Sequence, residues 1–170
     1  WNEVYSAVGK NLYGLSMLDE SEGWAVGQDG VILHYTSASG DWQEVATPLT
    51  ETLSSVAAVS STDVWAVGWN GTIVHYTNGA WQAVSSLVTQ TLWSVAMVSS
   101  DEGWAVGSDG VILHYSSGSW QVVNSPTTET LRCVGVLPSG EAWAMGDNGT
   151  ILRYGELPEK VFLPVVLRGY

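Results

Sequence analysis

Cysteine is almost absent from this chain: Cys133 is the single thiol among 170 residues, so no disulfide framework holds the fold together. Basic side chains are scarce too. Five Lys and Arg stand against seventeen Asp and Glu, and the resulting net charge of −12 excludes nucleic acid and anionic membrane as partners, because the leading attractive term would have the wrong sign. No apolar run approaches the ~18 residues of a membrane-spanning helix. Helical 3.6-residue periodicity is missing throughout, which leaves strands as the only regular element. A single Phe stands beside ten Trp and seven Tyr, so the aromatics that are present recur with a repeat.

That repeat is about 40 residues long and occurs four times. Trp-Ala-Val-Gly begins at Trp24, Trp65 and Trp104 and returns as Trp-Ala-Met-Gly at Trp143, with spacings of 41, 39 and 39 residues. Each copy continues through a two-residue turn, Asp29-Gly30, Asn70-Gly71, Asp109-Gly110 or Asn148-Gly149, into a β-branched run ending in Tyr. An Asn-Gly or Asp-Gly pair between such runs predicts a hairpin with a type I′ turn. A third run lies upstream (Leu12 to Leu18, Leu53 to Val59, Leu92 to Val98, Leu131 to Leu137) and a fourth opens at Trp42, Trp81 and Trp120. Four antiparallel strands per repeat, repeated at this period, predict the all-β architecture of a β-propeller, because each small sheet can bury its faces only against its neighbours. The predicted blades are 12–52, 53–91, 92–130 and 131–156, followed by a tail, 157–170.

The repeat is broken at its ends in a complementary way. The fourth-strand tryptophan always precedes the next opening leucine by 11 residues, and Trp1 stands 11 before Leu12. Residues 1–11, with Trp1 and Val4 in the strand, therefore read as an outer strand without a blade, while the last copy has a blade without an outer strand. Three arrangements satisfy this: a four-bladed ring closed within one chain, a two-chain ring of eight blades, or a stretch of a longer array. The basic residues are lopsided as well. Arg132, Arg153, Lys160 and Arg168 fall in the last copy and tail, with Lys10 after the Trp1 strand, a distribution that could align subunits head to tail.

Residues that recur serve the blade; a ligand site is expected where the copies differ. The position after the opening leucine holds Tyr13, Ser54, Trp93 and Arg132, and the position before the hairpin turn holds Gln28, Trp69, Ser108 and Asp147. Trp69 and Trp93 lie outside the repeat pattern, and unrepeated aromatics suit sugar stacking or a protein contact. Tyr13, Trp69, Trp93 and Arg132 are thus the candidate contacts. His34, His75 and His114 fall on separate blades, too far apart to share a metal at the ~2.0–2.1 Å zinc requires; they read as hydrogen-bonding residues of the fold. The acidic residues Asp19, Glu20, Glu22, Asp63, Asp101, Glu102 and Glu141 read as a solvated rim between the first and second strands. Cys133 takes a small-residue position of the first strand. Neither a cofactor nor a metal is expected.

The pattern Gly27-x-x-Gly30-x-Ile32-Leu33-His34, continuing to Gly40-x-Trp42, resembles the repeats of the Asp-box or sialidase-like propeller superfamily, nearest to the propellers of photosystem II assembly and stability factors and of secreted bacterial repeat proteins. The likeness covers residues 1 to about 154. It departs from an Asp box, Ser-x-Asp-x-Gly-x-Thr-Trp, at the turns Ser39-Gly40-Asp41-Trp42, Asn78-Gly79-Ala80-Trp81 and Ser117-Gly118-Ser119-Trp120. Sialidases grip a carboxylate with three arginines converging from several blades, whereas Arg132 and Arg153 share one copy here and Arg168 lies in the tail.

Together these features lead to the expectation of a non-enzymatic binding or structural propeller that engages a protein partner or copies of itself. A lectin-like carbohydrate-binding propeller is the alternative, and a degenerate glycoside hydrolase a more distant one. A chain that opens on Trp, with strong acidity and Ser-, Thr- and Gly-rich strands, is expected to be extracellular or at the cell surface of a bacterium, after removal of a signal peptide.

Overall fold

The computed structural model describes residues 1, 8–47 and 49–155. Val4, most of the N-terminal strand segment and the tail 157–170 lie outside them. Among the described residues every element except the tight turns is a strand. The first sheet holds β1 (Leu12–Met17), β2 (Glu22–Gly27), β3 (Ile32–Thr36) and β4 (Asp41–Glu44), and the second β5 (Leu53–Ser60), β6 (Asp63–Gly68), β7 (Ile73–Thr77) and β8 (Ala80–Val84). The third holds β9 (Leu92–Ser99), β10 (Glu102–Gly107), β11 (Ile112–Ser116) and β12 (Ser119–Val123). The last has three strands among the described residues, β13 (Leu131–Val136), β14 (Ala142–Gly146) and β15 (Ile151–Tyr154). Strands are paired antiparallel in sequence order within each sheet, as the four-strand repeat predicts.

The predicted turns are present in detail. Asp29, Asn70, Asp109 and Asn148 have φ between 54° and 56°, and the glycine after each also has positive φ, the two-residue signature of a type I′ turn. The other glycine of the repeat answers a different demand. Gly27, Gly68, Gly107 and Gly146 are extended, but a Cβ there would collide with the carbonyl oxygen of Asn11, Thr52, Thr91 or Thr130. Those same carbonyls accept the N–H of Gln28, Trp69, Ser108 and Asp147 at 2.9 Å, so a bare backbone lets the incoming chain seal the end of the second strand.

The hydrophobic core lies between sheets. Period-2 alternation sends Trp24, Val26 and Ile32 to one face of the first sheet, where they meet Leu53, Val56, Val64, Ala66, Val74 and Trp81 of the second. Trp65, Val67 and Ile73 meet Leu92, Val95, Ala105, Leu113 and Trp120 in the same way, and Trp104 and Val106 meet Leu131, Val134, Ala142 and Ala144. Polar links reinforce the stack. The N–H groups of Ala58, Val95 and Val134 donate to Ser16, Ser55 and Ser94 Oγ of the preceding sheet at 3.1, 3.3 and 3.2 Å. Cys133 stands on the last sheet at the position of Ser55 and Ser94 and is an exposed free thiol.

The aromatic residues form an inter-blade lock. Trp24 stacks on His34 of its own sheet at 3.9 Å and meets Tyr76 and, edge-on at 5.5 Å, Trp81 of the next sheet. Trp65 repeats this with His75, Tyr115 and Trp120. Trp104 has His114 and Tyr154, but the fourth-strand tryptophan is missing from its set among the described residues.

The two ends of the stack are open. Leu15 is 63% exposed where Val56, Val95 and Val134 at the matching position are 5–7% exposed. At the opposite end Trp143 is 44% and Met145 54% exposed, against 0–2% for their counterparts in the three sheets before. Trp1 is fully exposed. Among the described residues Trp1 is not part of the aromatic set around Trp104, and the rest of the strand expected to close the last blade lies outside them.

Candidate binding site

Each first strand carries a bulge at one fixed position. Leu12 pairs with Gly27 and Gly14 with Val26, which leaves Tyr13 as the extra residue; Ser54, Trp93 and Arg132 are skipped identically in β5, β9 and β13. A bulge re-aims its side chain and ends regular pairing. It also explains why the opening leucine is buried on the same face as a residue three positions later, Leu53 with Val56 for example, which strict alternation forbids. The variable residues noted in the sequence are thus the four bulge residues, all at the hairpin-turn end of their sheets.

The structure brings these candidates together. Tyr13 of the first sheet, Ser54 and Trp69 of the second and Trp93 of the third line one open cavity of about 320 Å³. Tyr13 and Trp69 are about half exposed and Trp93 is partly buried. Trp93 is held from below, its indole N–H donating to Ser108 Oγ at 3.0 Å. Arg132 extends the patch into the fourth sheet, with its guanidinium 5.2 Å from the centre of the Trp93 ring. Both its Nε and Nη2 donate to the Asp147 carboxylate at 2.9 Å, a bidentate pair that fixes the guanidinium plane. The Arg132 hydrogen bonds hold the Asp147 carboxyl below its ordinary range, and Asp147 in turn raises the arginine. Of the six residues singled out in the sequence, Tyr13, Trp69, Trp93 and Arg132 form this patch; Trp1 stands apart from it, and Val4 lies outside the described residues.

The histidines are hydrogen-bonding residues of the fold, as their strand position suggests, whereas four of the carboxylates need correction. His34, His75 and His114 contact Glu22, Asp63 and Glu102 through Nε2 at 2.9, 2.7 and 2.7 Å, and in the fourth sheet Arg153 donates to Glu141 at 2.7 Å. Glu22, Asp63, Glu102 and Glu141 are therefore structural partners of the third strand rather than members of a solvated rim. The signal was in the sequence: acid and His or Arg stand 12 residues apart in every copy, across one antiparallel pair. Trp143 Nε1 adds a bond to Glu141 at 2.6 Å, and the two donors hold that carboxyl below its ordinary range.

No protein-family model and no curated protein matches this chain. Solved structures do. YCF48 from Cyanidioschyzon merolae superposes with a TM-score of 0.72 at 20% identity, over 94% of this chain and 57% of that one. A structure of YCF48 bound to a D1 peptide superposes with a TM-score of 0.68 at 19% identity, over 86% and 50%. A protein of unknown function from Bacteroides thetaiotaomicron follows at 0.64 and 12%, over 82% and 39%. The fold is that of a β-propeller. The chain spans about half the length of the YCF48 structures it resembles.

Proposed function

We propose that this chain is a non-enzymatic, protein-binding propeller module whose contact surface is the patch of Tyr13, Trp69, Trp93 and Arg132. The observation that carries the reading is convergence: the two variable positions singled out in the sequence fall on bulges or beside turns at one end, and four of their residues, Tyr13, Ser54, Trp69 and Trp93, line one cavity. Aromatic walls offer apolar area and π faces, while a body of net charge −12 attracts cations. The ligand such a surface suits is an extended peptide segment with an apolar or aromatic side chain flanked by basic residues. That YCF48 is seen with a D1 peptide supports a protein ligand. We extend the proposal to a location outside the cell or at its surface, which the acidic composition supports, and to kinship with Asp-box propellers, which the pattern Gly27-x-x-Gly30-x-Ile32-Leu33-His34 supports. Trp1 to Val4 act in this reading as the fourth strand of the last blade, in the same chain or in a partner's.

A lectin-like reading rests on the same exposed Trp69 and Tyr13. Panels of basic-aromatic peptides and of glycans separate the two. Peptide binding that is lost in Trp93→Ala, with inert glycans, is the expected result. Glycan binding lost in that variant would replace the proposal with a lectin, and turnover of a chromogenic glycoside would overturn its non-enzymatic part.

A further inference from the structure

We infer that the cavity between Tyr13, Trp69 and Trp93 is an aromatic cage for a methylated ammonium group, presented by a trimethylated lysine of the bound peptide. The inference rests on the peptide reading and names the side chain that anchors it. Three aromatic residues from three successive sheets line the cavity, with Ser54 as the small residue among them. They are not a packed cluster. Trp24, Trp65 and Trp104 each have rings against them, whereas none of Tyr13, Trp69 and Trp93 has an aromatic partner among the described residues. The three rings therefore stand apart around open space of about 320 Å³. That volume lies at the small end of the range for ligand pockets and suits one head group.

The lining decides which cation fits. Aromatic faces attract a cation held within ~6 Å of the ring centre. Trp93 already holds one from its own chain, Arg132 at 5.2 Å, which comes from the fourth sheet and is not among the residues that line the cavity. Trp93 thus stands between a guanidinium on the fourth-sheet side and the cavity on the second-sheet side. Both oxygens of Asp147 accept from Arg132 at 2.9 Å, so the pair as a whole repels a second cation little. A primary ammonium carries three donors, each of which needs an acceptor once it leaves water. No carboxylate lines the cavity among the described residues, and Ser54 Oγ is shut off from solvent, which leaves the Tyr13 hydroxyl as the side-chain acceptor. A trimethylammonium group has no N–H to satisfy. Its surface is apolar and its charge suits a chain of net charge −12, so one side chain answers both the aromatic walls and the acidic body.

Calorimetry of the full chain with three synthetic peptides of one sequence tests the cage. Their central residue is trimethyl-lysine, lysine or the uncharged tert-butyl isostere, flanked by Arg and Gly. The trimethyl-lysine peptide is expected to bind about tenfold more tightly than either control, the effect of a partly desolvated cation on two or three rings. Tetramethylammonium chloride should displace it, and sodium chloride at the same ionic strength should not. Trp69→Leu keeps apolar area at a half-exposed position and should erase the preference, with an unchanged urea midpoint showing that the fold is intact. Tyr13→Leu should reduce the preference about threefold. Equal affinity for lysine and trimethyl-lysine, or a tert-butyl peptide that binds as tightly as the cation, would overturn the cage and leave the peptide reading standing. A preference that survives both leucine variants would overturn the assignment to this cavity. Binding of none of the three peptides would overturn the peptide reading and the inference with it.

Discussion

The junction between the second and third sheets and the open faces at the two ends are built from the same residue types, yet only the junction is closed. Trp65 and Trp143 occupy equivalent positions, but Trp65 has His75, Tyr115 and Trp120 around it whereas Trp143 has Arg153 at 5.5 Å, an indole hydrogen bond to Glu141, and 44% of its surface exposed. Burial is thus not a property of the repeat's residues. It is conferred by the neighbouring sheet, and a propeller blade without a neighbour is a half-built core.

Leucine truncation breaks the comparison most strongly. Leu92→Ala, at a fully buried junction position, is expected to cost about 2–5 kcal/mol in urea unfolding, and Leu12→Ala at the open face well under half of that. Glycine substitution isolates the linker. Gly71→Ala combines a φ of +67° with a collision against the Val88 carbonyl and should cost about 2 kcal/mol or more; Gly149→Ala, at +72° with open space, should cost about 1 kcal/mol. His75→Ala strips the face of Trp65 and leaves Asp63 without its partner, for an expected loss of about 1–3 kcal/mol in the same assay.

The smallest effect belongs to Arg132 and Asp147, which are exposed and only weakly coupled to stability. The Asp147 carboxyl is lowered in the folded chain, so its contribution is present above the unfolded carboxyl range and is lost as pH falls through the lowered folded value. The urea midpoint of the parent should therefore drop slightly more on acidification than that of Asp147→Asn. Equal pH profiles would show that the pair does not couple to folding.

Much of the fold was legible because turn chemistry and repeat period are local. Asp29-Gly30 and its counterparts admit few conformations besides the one found. The bulges were not legible: Leu12-Tyr13-Gly14 alternates as an ordinary strand would, and only pairing to Gly27 and Val26 shows that Tyr13 is extra. That hidden register shift is what aims Tyr13, Trp93 and Arg132 at one end. Variation between copies found the residues of the patch, whereas its geometry required the sheets. The Glu22 and His34 pairing was readable from its constant offset and was obscured because an acid near a loop resembles a solvated one.

Equilibrium unfolding of Trp65→Ala beside Trp143→Ala, in solution dilute enough that single chains prevail, tests most directly whether the neighbouring sheet, rather than the repeat itself, makes the core. A loss of about 3–5 kcal/mol for Trp65→Ala and under about 1 kcal/mol for Trp143→Ala is the predicted result. Equal losses at the two positions would contradict it.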